Sequence, residues 1–210
     1  MAAAATPDVP ELPDSRLVPF LRSARDYLRR AMDLEIDESE TSLAFVDHYL
    51  AGQRPTDDHA LAPQIVGLLA SALGVYFGEV CRRNLPDGAS WEILGEDPRT
   101  FRIILTASGV SFCPAAMVAT ALYGDEVEGW DAALRPPEKW KNMLDRVLSS
   151  SAPVETAYFY SLTGRFESLQ RISELVADFE RMTQPSPASP ESDTDSALDP
   201  DPSPDPSLPN

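Results

Sequence analysis

Residues 63–84 read Pro63-Gln-Ile-Val-Gly-Leu-Leu-Ala-Ser-Ala-Leu-Gly-Val-Tyr-Phe-Gly-Glu-Val-Cys-Arg-Arg-Asn84. Between Ile65 and Cys81 only Ser71 and Glu79 are strongly polar. A helix here is apolar on every face and belongs in the middle of a domain, not on its surface. Gly67, Ser71, Gly74 and Gly78 fall within about 60° of arc at about 100° per residue, so they form one stripe of small side chains. Each interior Gly costs a helix about 1 kcal/mol relative to Ala. The stripe is therefore expected to admit a close neighbour, and the strands bearing Phe101, Ile103 and Leu105 are the expected one.

The chain changes period after this helix. Pro86-Asp-Gly88 marks a turn, and Trp91–Leu94, Thr100–Leu105 and Val110–Phe112 read as three short strands, with Ala107-Ser-Gly109 as a hairpin turn. Pro114 then opens a helix that Gly124 closes. Upstream, Asp14 or Ser15 caps an amphipathic helix running to Leu34. The acidic stretch Glu35-Ile-Asp-Glu-Ser-Glu40 is expected to begin a second helix ending at Gly52, since acids favour a first turn. Downstream, Pro136-Pro137 introduces a helix from Glu138 to about Ser149. Phe166–Met182 is amphipathic, and Val154–Leu162 is ambiguous between helix and strand. The fold class is α+β: a mostly helical single domain with a central apolar helix and a small antiparallel β-sheet, spanning residues 15–182.

The two ends read differently. Residues 1–14 are expected to be disordered, and residues 183–210 to form a disordered acidic tail. From Gln184 onward eight of 27 residues are proline, and only Leu198 and Leu208 are large and apolar, too little to offset chain entropy. Its Asp-Pro and Ser-Pro repeats read as a solubilising extension. An interaction or phosphoacceptor segment is the other reading.

The formal charge of −17 is shared between the ends and the middle. Nine of the 34 acids lie in residues 1–14 and 184–210, which carry no Lys or Arg, leaving 25 acids against 17 bases and a domain near −8. Such a surface repels nucleic acid and anionic membranes, because phosphate binding needs clustered cations. Cys81 and Cys113, far apart and in apolar surroundings, read as buried reduced thiols. The N-terminal residues show no basic region followed by an apolar one, so a cytoplasmic location is expected. The apolar run from Ile65 is expected to be broken by Gly78-Glu79, short of a membrane span. Fifteen Arg against two Lys, with abundant Ala, suggests a GC-rich bacterial genome.

Chemical motifs are sparse. His48 and His59 stand apart with no metal-ligand spacing, no phosphate-binding glycine loop or nucleophile elbow occurs, and Asp125-Glu-Val-Glu128 lacks an EF-hand pattern. Catalytic residues, metal and cofactors are therefore expected to be none. Glu79 stands out as an acid in an apolar helix. Arg82 and Arg83, three and four residues on, lie where an intrahelical pair forms. The candidate binding residues are Glu79, Arg82, Arg83, Trp91 and Arg102.

The run Leu73-Gly-Val-Tyr-Phe-Gly-Glu79, then Trp91, a strand, and Pro114 opening a helix resembles a class of small uncharacterised bacterial domains, some of them similar to toxin-neutralising immunity proteins. The match covers about residues 65–123. It implies a fold and maps no catalytic residue. The leading expectation is a non-enzymatic protein-binding module, an adaptor or immunity-like protein whose acidic surface engages a basic partner. The alternative is a small-ligand protein or enzyme with a pocket between the core helix and the hairpin, using Glu79 with Arg82 or Arg102.

Deleting residues 184–210 should leave the thermal midpoint within a few degrees of the full chain's, because the segment offers so little apolar surface; a larger drop in a melting experiment would show that it docks.

Overall fold

In the computed structural model, which describes residues 12–33, 35–56, 60–150 and 154–183, everything is arranged around the apolar helix. The chain order is α1 (Val18–Met32), α2 (Leu43–Gly52), α3 (Pro63–Asn84), β1 (Ala89–Glu92), β2 (Arg102–Leu105), β3 (Ser111–Phe112), α4 (Pro114–Tyr123), α5 (Glu138–Ser150), α6 (Thr156–Tyr160) and α7 (Leu162–Thr183). This is the mostly helical α+β domain the pattern predicts, while the expectations for the N-terminal segment and the acidic tail fall mainly outside the described residues.

α3 is the hub. It touches α1, α4, β1 and β2, and an unbroken run from Ala72 to Cys81 is buried. By length and composition it is apolar enough to cross a membrane, with mean hydropathy 1.5 over 18 residues, and 72 % of that window is buried inside the domain. The helix runs through Gly78-Glu79 to Asn84, the end the sequence pattern predicts, so its apolar stretch is longer than the run that stops at Phe77. Neutralising partners let Glu79 stay inside the helix, as described below.

The sheet has order β1-β2-β3, antiparallel throughout, with Trp91 opposite Ile103 and Ile103 opposite Phe112. Ile103, Leu105 and Phe112 are fully buried, so one sheet face covers the core while the alternate residues face outward. α4 begins at Pro114 and ends in Gly124 with φ +71, the left-handed stop glycine permits.

The second helix departs from expectation. Residues 35–39 are not helical, a 3₁₀ turn spans Glu40–Ser42, and α2 starts only at Leu43. Tertiary partners override first-turn propensity: Glu38 is turned inward to two arginines, and Tyr76 of α3 donates its hydroxyl to the Asp37 carbonyl. The ambiguous segment resolves as the single helical turn of α6 followed by α7.

The small-residue stripe is covered along part of its length. A Cβ at Gly74 would lie 2.6 Å from Ala115 Cα, and one at Gly78 would lie 2.3 Å from the Trp91 ring, whereas Gly67 has nothing within 4 Å. The close neighbours are thus Trp91 of β1 and the first turn of α4, rather than the strand residues Phe101, Ile103 and Leu105. The indole lies over Gly78 and the Ala115 backbone lies over Gly74, so a large ring and a bare backbone take the space that the strand residues were expected to fill.

These contacts predict opposite outcomes along one helix. Gly74→Ala should destabilise by about 1–3 kcal/mol, because the obstruction is backbone that cannot swing aside. Gly67→Ala should stabilise by about 0.5–1 kcal/mol through helix propensity alone. Urea unfolding of the two variants checks the contrast, and equal effects would mean the stripe is not differentially packed.

Candidate functional site

Glu79 is fully buried, and its carboxylate accepts four hydrogen bonds. Arg82 Nε donates to Oε1 and Arg82 Nη2 to Oε2, both at 2.9 Å, a bidentate fork from three residues on. Arg83 Nε donates to Oε2 at 3.3 Å, and Trp91 Nε1 donates to Oε1 at 2.7 Å. Helical spacing aims both arginines back over Glu79, and β1 delivers the indole from across the sheet. The fork holds Arg82 more firmly protonated than a free guanidinium, chiefly through its hydrogen bonds to Glu79.

A second carboxylate extends the cluster. Glu38, also buried, accepts from Arg25 Nε of α1 at 2.7 Å and from Arg83 Nη1 at 3.0 Å. Arg83 therefore bridges the two acids. Asn84 Nδ2 donates to the Glu38 carbonyl at 2.8 Å, tying the backbone of the same loop to the end of α3. Five charged side chains from α1, the 35–39 loop and α3 thus form one chain, closed by Trp91.

Four of the five expected site residues meet here: Glu79, Arg82, Arg83 and Trp91. Arg102 does not. It pairs across the sheet with Glu92 at the position next to Trp91↔Ile103, and alternation puts it on the opposite sheet face. Its Nη1 is buried without a hydrogen-bond partner there. Sequence reasoning missed Glu38 and Arg25, which lie 41 and 54 positions from Glu79; Glu38 stands between Asp37 and Ser39 in a stretch read as a first turn, with no local signal to set it apart.

The chemistry of this arrangement is structural. The Glu79 oxygens are taken by arginine and indole donors, and the three arginine side chains keep only 25–29 % exposure. The expected pocket between α3 and the hairpin is filled. The crevice bordered by Ser71, Gly74, Trp91, Phe101 and Ala115 has no interior volume able to hold a water molecule. The cysteines are the buried free thiols the sequence suggests: burial pushes the pKa of Cys81 well up and that of Cys113 up, and Cys113 Sγ donates to the Arg99 carbonyl at 3.2 Å.

No family model matches the chain, and no curated protein or solved structure is significantly similar to it.

Glu79→Gln should cost about 2–4 kcal/mol, since it leaves Arg82 and Arg83 facing a neutral amide and sets an amide N–H₂ against their donors. Arg102→Gln, outside the cluster, should cost less than about 1 kcal/mol. Denaturant midpoints of both variants measure the difference; equal costs would mean that Arg102 belongs to the same network.

Proposed function

We propose that this chain is a non-enzymatic protein-binding module of the bacterial cytoplasm, an adaptor or immunity-like protein that engages a partner with a basic surface. The supporting observation is its exposed apolar surface. Ile65 and Leu68 stand out from one turn of α3, and Tyr158 and Phe159 are adjacent on α6, in a domain whose net charge is strongly acidic. Paired exposed apolar side chains of this kind mark contact faces more than isolated ones do. The acidic surroundings favour a cationic partner by steering its approach. The sequence resemblance of residues 65–123 to small uncharacterised bacterial domains, some of them immunity-like, is in keeping with this reading, and the saturated Glu79 cluster leaves that carboxylate no open oxygen for acid–base chemistry.

The test is affinity capture followed by titration of the purified partner at low and high ionic strength. A saturable partner is expected whose affinity falls roughly tenfold or more between about 0.05 M and 0.5 M salt, as exposed charge pairs are screened. A chain that retains no partner at either strength would refute the proposal.

A further inference from the structure

α6 is a helix that its own fold does not use as core. Thr156–Tyr160 contains no buried residue, with Tyr158 40 % and Phe159 47 % exposed, and Val154 just before it is 56 % exposed. It is nevertheless held tightly. The Tyr158 carbonyl accepts from Ser161 N at 3.1 Å and from Ser161 Oγ at 2.8 Å, and Gly164 N donates to the same hydroxyl at 3.0 Å. A Cβ at Gly164 would lie 2.2 Å from the Tyr158 carbonyl oxygen, so the corner between α6 and α7 closes only around glycine. Asp47 of α2 fixes the start of α7 by accepting from Leu162 N at 2.7 Å and Thr163 N at 3.0 Å.

The side chains are ordered as well. The Arg165 guanidinium carbon stands 4.3 Å from the centre of the Phe159 ring, and Phe159 meets Tyr160 edge-to-face with centres 5.1 Å apart. A hydrogen bond with Glu167, with a contribution from burial, raises the Tyr158 pKa to about 12. Holding aromatic side chains in place while they stay wet brings the isolated chain little stability. It does lower the ordering cost of binding, because aromatic anchors fixed beforehand lose little freedom on contact.

We infer that the α6 face bearing Tyr158 and Phe159 is where the partner docks, and that the partner presents a short amphipathic cationic segment. One apolar side chain of that segment lies against the rings, and its Lys or Arg residues face the acids around them. Those acids are Glu155 at the α6 N-terminus, Glu167 beside Tyr158, and Glu126, whose charge acts on Arg165. Arg165 is already committed to the Phe159 face. The α3 face bearing Ile65 and Leu68 is equally exposed, but residues 60–78 carry no charge and specify no partner chemistry. The inference rests on the binding-module reading above and adds its location and the partner's charge.

Two fluorescein-labelled helical peptides of about four turns test it by anisotropy with the full chain, one of Leu and Lys and one of Leu and Glu. The Lys peptide should bind roughly tenfold or more tightly than the Glu peptide, and the Tyr158→Ala/Phe159→Ala double variant should lose roughly tenfold of that affinity with its melting temperature unchanged. Glu155→Lys should weaken binding and flatten its salt dependence. Equal binding of both peptides, or undiminished binding to the double variant, overturns the inference. A natural partner still captured by the double variant also overturns the α6 assignment while leaving the binding-module reading intact.

Discussion

A carboxylate at zero exposure in the last turns of the hub helix is the constraint around which the neighbouring elements are placed. Taking Glu79 out of water costs several kcal/mol, and the cost is met only where hydrogen-bond donors, cationic ones among them, converge on both oxygens. Two of those donors, Arg82 and Arg83, come with the helix; the third, the Trp91 indole, has to be delivered by β1. The hairpin is thereby fixed in position along α3. Arg83 carries the same constraint to Glu38 and Arg25, fixing the loop after α1 as well. A buried ion pair contributes little net stability compared with apolar packing, but removing one member leaves an uncompensated charge, so the cluster selects one arrangement of these elements.

The glycines make that arrangement sterically accessible. The Trp91 ring reaches Glu79 by lying directly over Gly78, and the first turn of α4 lies over Gly74 one turn earlier. Any Cβ at Gly78 would displace the ring and lengthen its hydrogen bond. Small residue and buried acid are therefore one device: the gap at position 78 admits the indole, and the acid at position 79 holds it. Gly67 lies on the same stripe without a neighbour, so the spacing alone does not distinguish a packed position from an open one.

How much was legible follows from sequence separation. α3 and α4 were readable to the residue because Pro63, Pro114 and Gly124 punctuate them and apolar periodicity fills the interior. The intrahelical half of the cluster was readable because three- and four-residue spacing is a local property. Its other half was not, since Glu38 sits in a stretch whose composition favours a helical first turn, and only contact with Arg25 and Arg83 reverses that preference. Arg102 was misplaced for a related reason. Alternation in a strand fixes which residues share a face, but the sequence does not say which face meets the helix until a partner such as Trp91 anchors the register. α6 escaped because its residues are apolar without being core, and periodicity reports burial.

That last mismatch separates the two halves of the molecule. Around α3, charged groups are turned inward, and the result is a closed interior in which both Glu79 oxygens accept hydrogen bonds. Around α6 the balance is reversed: backbone and corner are matched through Ser161, Gly164 and Asp47, while the aromatic side chains are left outward. A fold that lacked a use for those rings would gain solubility from polar residues there at no cost to its core. The physical asymmetry therefore separates a closed, ion-paired interior at the Glu79 end of α3 from an aromatic face left in water at α6, and the residue that first attracts notice, Glu79, lies in the closed part.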